Sequence, residues 1–485
     1  MPFPSPTPSS SSPTGANANR RNFLAGALAG LAGAPLLGGR ALAENAPAAT
    51  IGGLQEPARQ VSIADDVDVI VCGSGPAGIA AAVMAARTGA KVRLFEVHGC
   101  LGGVWTAGLL SYVLDAKNSG FNQEIIDKLK ERSSYNPNGT KAYFYDPEEM
   151  KRLLEELCVQ SGVKVQLFSR IVAAYKDSAN RLTTVVTESQ SGRQAWKARV
   201  FIDATGDGDL GNLAGCEWEL GESNACPCQP MTMMAMVTVP DPEKLRPFAS
   251  HYGSPSWRKE PVENFRKELA RFGHTPTYGT PSLFHVRDGL FNLMINHEYA
   301  VRADDAAAIT EATFRARSEI HTITRGLRKL GGSWDGLLLV ATAEQIGVRD
   351  GRRIKGRYVL SKDDLIEGRQ QEDGVVTVTF NVDIHAVSKK ANETAAYHNA
   401  GVKTKPYHIP LRALIAKDVD GLMMAGRCIS GDFISHASYR VTGNAVAMGE
   451  AAGVTAALAA ASKHQPHEIE WKDASAKLAQ LNSKA

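Results

Sequence analysis

Gly73-Ser74-Gly75-Pro76-Ala77-Gly78 is the segment whose residue types and spacing most directly imply chemistry. A glycine turn of this spacing at the start of a helix sets backbone N–H groups and the positive end of the helix dipole against a phosphate bridge. Gly73 makes the tight turn, Gly75 lets the backbone approach the phosphates, and Gly78 lets the helix pack closely, while Pro76 and Ala77 open the helix. Glu96 ends the next predicted strand, where its carboxylate accepts hydrogen bonds from ribose hydroxyls and repels a 2′-phosphate. The expected dinucleotide is FAD or NAD, not NADP. For proton exchange near neutral pH the natural groups are histidines. His436, in Ser435-His436-Ala437-Ser438-Tyr439-Arg440, is the first catalytic candidate, followed by His408 before Ile409-Pro410 and by His385 after Val382-Asp383-Ile384. Arg440 and Arg412 could each clamp a carboxylate or neutralise an oxyanion, or else pair with a nearby Asp or Glu. Arg349, Arg352, Arg353 and Arg357 form a denser basic set without an assigned place.

These groups need a scaffold, and the hydrophobic pattern supplies one. Val67 to Cys72 is a β-branched run ending in glycine and reads as a buried strand. An alanine-rich helix is predicted from Pro76 to Thr88, stopped by Gly89, and Lys91 to Glu96 forms a second, parallel strand, which requires a right-handed crossover. Further helices are predicted at 146–161, 304–330 and 444–461. Strands are predicted at 163–167, 200–203, 231–239, 376–382 and 421–425, with a hairpin joining 171–174 to 183–188.

The chain has 485 residues, a formal charge of +3 and 44% hydrophobic residues, enough for two or more domains. Near-neutral charge gives no electrostatic reason to bind nucleic acid, and its 45 glycines follow no repeating period. Seven cysteines make no disulfide framework in a chain this large. Cys226-Pro227-Cys228 reads as a turn with two small side chains, and no metal site is expected.

Residues 1–19 are rich in Pro, Ser, Thr and Asn, and Arg20-Arg21-Asn22-Phe23-Leu24 then leads into a small, apolar stretch. Ala41-Leu42-Ala43 supplies a cleavage signal. The paired arginines resemble a twin-arginine export signal, which implies export of a folded chain to the bacterial periplasm. No later segment is expected to span a membrane.

Gly102-Gly103-Val104-Trp105-Thr106-Ala107-Gly108, Phe201-Ile202-Asp203-Ala204-Thr205-Gly206-Asp207-Gly208-Asp209, the Gly347–Tyr358 block, Tyr407-His408-Ile409-Pro410-Leu411-Arg412, Gly426–Asp432 and Arg440–Asn444 complete a set. Together these resemble the bacterial FAD-dependent oxidoreductases of the glutathione-reductase-like class, over nearly the whole mature chain. The resemblance implies an α/β fold: a Rossmann-like FAD-binding domain with a central parallel sheet, discontinuous in sequence, plus an inserted α+β substrate domain. The implied layout is a signal peptide at 1–43, a linker at 44–61, FAD-binding parts at 62–215 and 415–465, a substrate or cap domain at 216–414, and a tail at 466–485.

The same resemblance implies roles. Gly102, Gly103 and Thr106 would lie beside the flavin, and Ala204, Gly206 and Asp209 would border the nucleotide. Gly431 and Asp432 would meet the pyrophosphate or ribityl hydroxyls, and Gly443 and Asn444 would face the pyrimidine edge. His98 and Cys100 are placed where a covalent tether could be imagined. The implied activity is transfer of hydride or electrons between bound FAD and a small organic substrate, with an electron acceptor or donor not specified. A reductase fed by a partner donor and a non-catalytic flavin-binding protein stand as alternatives. A second dinucleotide fingerprint and a Cys-x-x-x-x-Cys pair near the first are missing, a departure from the pyridine-nucleotide disulfide reductases.

Overall fold

The computed structural model describes residues 53–132, 135–136, 142–223, 226–252 and 259–483. The proposed signal segment 1–43 lies outside them. Strand β1 (Ile63–Cys72) runs into helix α1 (Pro76–Arg87) and strand β2 (Val92–Phe95). From Val67 to Cys72 in β1 and from Ala77 to Ala85 in α1 the β-branched and alanine residues are buried, as a parallel sheet covered by helices requires. Helix α2 (Pro147–Gln160) follows, capped by Asp146, whose Oδ1 accepts the Glu148 N–H at 2.9 Å. It buries Met150, Leu153, Leu154 and Leu157, the stripe its spacing predicts.

The central sheet gains β3 (Lys164–Gln166), β4 (Arg170–Lys176), β5 (Leu182–Ser189) and β6 (Gly192–Asp203), in the order β3-β2-β1-β6-β5-β4. Strands β4, β5 and β6 form an antiparallel meander, and the hairpin expected around Lys176–Asn180 forms there. Far along the chain, β12 (Leu422–Met424) returns to pair in parallel with the end of β6. The parallel ends align: Cys72 is opposite Phe95 and Asp203, and Asp203 is opposite Met424. Gly73, Glu96, Ala204 and Ala425 therefore leave the sheet at one edge, the crevice where open α/β sheets bind ligands.

A second, antiparallel sheet consists of β7 (Met234–Thr238), β8 (Ala249–Ser250), β9 (Ser282–Arg287), β10 (Leu290–Met294) and β11 (Leu338–Thr342), in the order β8-β9-β10-β7-β11, with β8 parallel to β9. With helix α3 (Ala306–Leu330) it encloses a separate hydrophobic core drawn from 231–348 plus Leu109. Hydrophobic residues from Ile354 to Ala416 pack instead into the first core, so the second is shorter in sequence than the 216–414 stretch.

Helices α4 (Phe433–Tyr439), α5 (Thr442–Ser462) and α6 (Trp471–Asn482) close the chain. Residues 466–485, expected as a tail, contain α6, whose Ala474 is buried and whose Trp471, Leu478 and Leu481 pack on the first core. Helix α5, with 21 residues, is long and apolar enough to cross a membrane by length and composition alone, but it is a core helix, most of it buried inside the protein. The reason is backbone contact with α1. A Cβ on Gly449 would lie 2.2 Å from the Ala77 carbonyl oxygen, and one on Gly453 2.3 Å from that of Ala81. Only glycine admits that approach.

Glu450, on the same helix, is buried; its Oε1 accepts the Phe121 N–H at 3.0 Å. Burial pushes its carboxyl up to about 7, against hydrogen bonds from Ser119 and Phe121 that favour the charged form. A raised carboxyl stabilises the fold fully below its unfolded value of 4.5, and that contribution is lost as pH rises through 7. The difference is on the order of 3 kcal/mol. Glu450→Gln is expected to match the wild-type Tm near pH 5 and to exceed it near pH 8. A Tm difference that stays constant across that range would disprove the assignment.

Candidate active site

The cleft at the sheet edge encloses about 1970 Å³, counting the solvent at its mouth. At one end lies the turn before α1. Gly73 has φ +93°, and a Cβ there would meet the Ala204 carbonyl oxygen at 2.5 Å; one on Gly78 would meet the Gly73 carbonyl oxygen at 1.9 Å. Those two glycines are required by the protein itself. Gly75 differs: it is the N-cap of α1 with φ −61°, and an added Cβ would meet no heavy atom within 4 Å. The turn thus keeps an open cradle at the amides of a helix N-terminus, and a phosphate bridge fits there.

Glu96 lines the cleft beside this turn. Its Oε2 accepts from the Ser74 N–H at 2.8 Å and the Ser74 hydroxyl at 2.5 Å, and its Oε1 accepts the His98 N–H at 2.9 Å. These bonds fix the carboxylate, and Oε1, which accepts only one of them, keeps a lone pair for a ribose hydroxyl. Ala204, Thr205, Gly206 and Asp209 form the facing wall. Asp203 lies buried under it and accepts from Thr205 and Gly211; burial pushes its carboxyl up to about 6. Two residues missed by sequence reasoning complete the wall: Gly426, with φ +90°, and Arg427, whose Nη2 lies 2.8 Å from Asp207 Oδ1.

Other assigned residues prove to be builders of the loop. Gly103 lines the cleft, its Cβ position 3.0 Å from the Gly75 Cα. Gly102 and Thr106 do not line it: Gly102 donates its N–H to the Ser74 carbonyl at 2.9 Å, and the Thr106 hydroxyl donates to the Leu101 carbonyl. Gly431 and Asp432 are also displaced. The Gly431 carbonyl accepts from Arg353, and Asp432 caps α4 by accepting the Ser435 N–H at 2.6 Å and also accepts the Lys362 N–H at 2.7 Å. The carboxylate read as a pyrophosphate or ribityl contact is a helix cap. Gly443 is pressed against the Leu114 and Asp115 carbonyls and Asn444 is fully buried; Val441, Thr442 and Ala445 carry the start of α5 to the cleft in their place. Cys100 is a buried thiol, raised by that burial, and does not line the cleft; His98 does.

The other end of the cleft gathers Tyr112, Tyr278, Arg349, Asp383, His385 and Arg440. Arg349 donates through Nη1 to the Pro230 carbonyl at 2.6 Å and the Thr232 hydroxyl at 2.8 Å. Arg440 donates to the Asp383 carbonyl at 2.9 Å and lies 3.5 Å from its carboxylate. His385 Nε2 lies 3.3 Å from the same carboxylate. Burial, then the charge of Arg349, lowers the His385 imidazole to about 4, so it is neutral at physiological pH. Burial alone would raise Asp383, but the positive groups facing it hold it below the usual carboxylate range. A carboxylate only accepts hydrogen bonds, so Nε2 of the neutral ring carries the proton and Nδ1 is left as the basic atom. Nδ1 has no hydrogen-bond partner among the described residues.

Of the five catalytic candidates, His385 and Arg440 line the cleft, and His436, His408 and Arg412 do not. His436 is fully buried on α4, 3.3 Å from Asp350. Asp350 accepts from Gln229, whose side-chain oxygen receives the His385 N–H at 3.0 Å and Arg440 at 3.3 Å. His436 therefore sits behind the cleft, linked to it through Asp350 and Gln229. His408 is half-buried, and its Nδ1 accepts the Gln371 N–H at 3.2 Å. Arg412 forms a two-pronged ion pair with Asp373 and lies over the Tyr358 ring, in a different surface groove. Tyr112, Tyr278, Arg349 and Asp383 escaped selection because nothing local marks them; they meet only through the fold. Cys226 and Cys228, read as a plain turn, are joined by a disulfide. Among the described residues no group of three or more His, Cys, Asp or Glu is placed to hold a metal.

A mixed α/β fold with a glycine turn at a helix N-terminus and an acid beside it in one cleft is the architecture of a dinucleotide-binding protein. The family model described as FAD dependent oxidoreductase matches residues 68–479. The chain belongs to that family, and FAD is its cofactor. It is similar to digeranylgeranylglycerophospholipid reductase 2 of Methanopyrus kandleri, with 27% identity over 35% of this chain and 46% of that protein. It is also similar to thiamine thiazole synthase of Methanothermobacter thermautotrophicus, with 30% identity over 29% of this chain and 56% of that one. The chain thus spans about half the length of these curated relatives. Among solved structures, a geranylgeranyl bacteriochlorophyll reductase-like protein of Thermoplasma acidophilum aligns over 87% of this chain and 83% of its own, with 13% identity and a TM-score of 0.45.

Proposed function

We propose that this protein oxidises a small organic substrate, with FAD held along the cleft and His385 Nδ1 taking the substrate proton. The observation that carries the reading is the neutral His385, held through Nε2 by an ionised Asp383, in the same cleft as the phosphate-binding turn. Gly73, Gly75, Pro76, Ala77, Glu96, Gly103, Ala204, Gly206, Asp209 and Gly426 are the residues that would hold the dinucleotide. Bound FAD supplies a two-electron acceptor. On accepting a proton His385 becomes an imidazolium, which the Asp383 carboxylate stabilises, and Arg440 keeps Asp383 ionised. Met234 and Met294 reach the cleft from the second core, and Thr232 and Tyr278 from the same stretch of chain, which supports reading the 216–414 stretch as the substrate-facing domain inserted between the 62–215 and 415–465 parts. The sheet order supports placement in the glutathione-reductase-like class. Anaerobic mixing of the yellow holoprotein with a panel of alcohols, amines and organic acids tests the reading: a substrate bleaches the flavin absorbance. Bleaching that His385→Gln leaves undiminished would remove the base from the proposal.

The same proposal includes export through the twin-arginine route, supported by Arg20-Arg21 and the Ala41-Leu42-Ala43 site. Replacing both arginines with lysine is expected to keep the chain in the cytoplasm of a bacterial host. Periplasmic recovery equal to that of the unaltered chain would exclude this route.

A further inference from the structure

We propose that the substrate is an organic carboxylate with an apolar body, and that its carboxylate is held by Arg349 and Arg440. The inference rests on the cleft being the substrate site, and it names what that site selects. Arg349 uses Nη1 on two neutral oxygens, the Pro230 carbonyl and the Thr232 hydroxyl. Among the described residues no carboxylate lies within 4.0 Å of its guanidinium; the ion pairs formed by the cleft's acids go elsewhere. Asp383 serves Arg440 and His385, and Asp209 serves Arg352. At the His385 end the lining therefore carries two guanidinium charges against one carboxylate, with His385 neutral.

A guanidinium held away from water without a counter-charge is unfavourable, and proteins place one where a ligand will supply the missing anion. Burial and the neighbouring Arg440 charge already depress Arg349 to about 10, in keeping with a cation that lacks its partner. A planar fork with free donors matches a carboxylate in two-point contact. Around this anion site the surface is of the opposite character. Leu110, Leu114, Met234 and Met294 line the same end with the Tyr112 and Tyr278 rings. Methionine and aromatic rings adapt to an apolar body, so the site selects a molecule that is apolar apart from one acidic end.

The test uses the FAD-loaded protein and benzoate, an aromatic carboxylate, with benzamide as its uncharged counterpart. Binding is read from the visible spectrum of the bound flavin and does not depend on turnover. Benzoate is expected to give a saturable spectral shift, and benzamide to bind at least about a hundredfold more weakly. Arg349→Met is expected to weaken benzoate by a similar factor while retaining one FAD per chain. Arg349→Lys keeps the charge but loses the fork, serves if the methionine variant fails to accumulate, and is expected to cost about tenfold. Equal binding of benzoate and benzamide, no shift with benzoate, or unchanged benzoate affinity in either variant overturns the proposal. His385→Gln separates this idea from the catalytic one: substrate-driven bleaching slows, while benzoate still gives a saturable shift that benzamide does not; loss of the benzoate shift together with bleaching would not be expected.

Discussion

Gly75→Val is expected to yield a folded protein that has lost its FAD. Both halves of that outcome come from the same local geometry. The residue has φ −61° in extended backbone, which valine adopts readily, and its Cβ direction is clear of protein atoms within 4 Å. The added side chain therefore strains nothing in the chain and instead occupies the cradle at the amides of α1. Losing about two hydrogen bonds from backbone N–H groups to a charged phosphate costs roughly 3–6 kcal/mol, or about 10²- to 10⁴-fold in affinity. The measurements are flavin absorbance per chain after purification and Tm compared with the FAD-stripped wild type. Full flavin content in a folded variant would place the phosphates elsewhere. Gly73→Val and Gly78→Val are poor substitutes for this experiment, because their Cβ atoms collide with backbone and misfolding would explain any loss.

The second large effect concerns His385. Its replacement by glutamine is expected to slow anaerobic flavin reduction by about 10²- to 10⁴-fold, the usual contribution of a positioned base, with FAD content unchanged. The pH profile carries the sharper signature. The base works only unprotonated, and the structure holds it near 4. The reduction rate should thus stay level from neutral pH down to about 5 and fall tenfold per unit below about 4. A break near 6.5, the ordinary value for histidine, would mean that the buried, Arg349-facing environment described for the ring is wrong. His436 is also depressed to about 4 by burial, so the profile alone does not separate the two. His436→Ala does: acting through Asp350 and Gln229, it should lower the rate less and leave the limb of the profile intact.

The nucleotide end was legible in the sequence and the substrate end was not, for a physical reason. Gly73 to Glu96 forms one strand-turn-helix-strand unit, so local spacing carries its geometry. Helices and strands with strong periodicity also fell within a few residues of their places, including α2 with its Asp146 cap and strand β12, whose return to the sheet was implied by the family resemblance and not by its periodicity. The reacting groups obey no such rule. Tyr112, Tyr278, Arg349, Asp383 and Arg440 come from five separate stretches, and only packing brings them together. Asp432 shows the converse error. An aspartate after glycine resembled a cofactor contact, yet the same residue type is also a favoured helix cap, and here the cap is what it forms. His436 and His408 were chosen for their type and for nearby motifs, while depth and orientation, which decide their roles, leave no mark on a single sequence.

The glycine seam between α1 and α5 sets an order of events during synthesis. One of its helices begins at Pro76 and the other at Thr442, so the amino-terminal wall of the cleft emerges from the ribosome long before its companion. A nascent chain that has not yet released its last sixty or so residues lacks Gly426, Thr442 and the backing for α1. The cleft is accordingly whole only when the segment from Gly426 to Ala445 has been made and α5 has packed against α1.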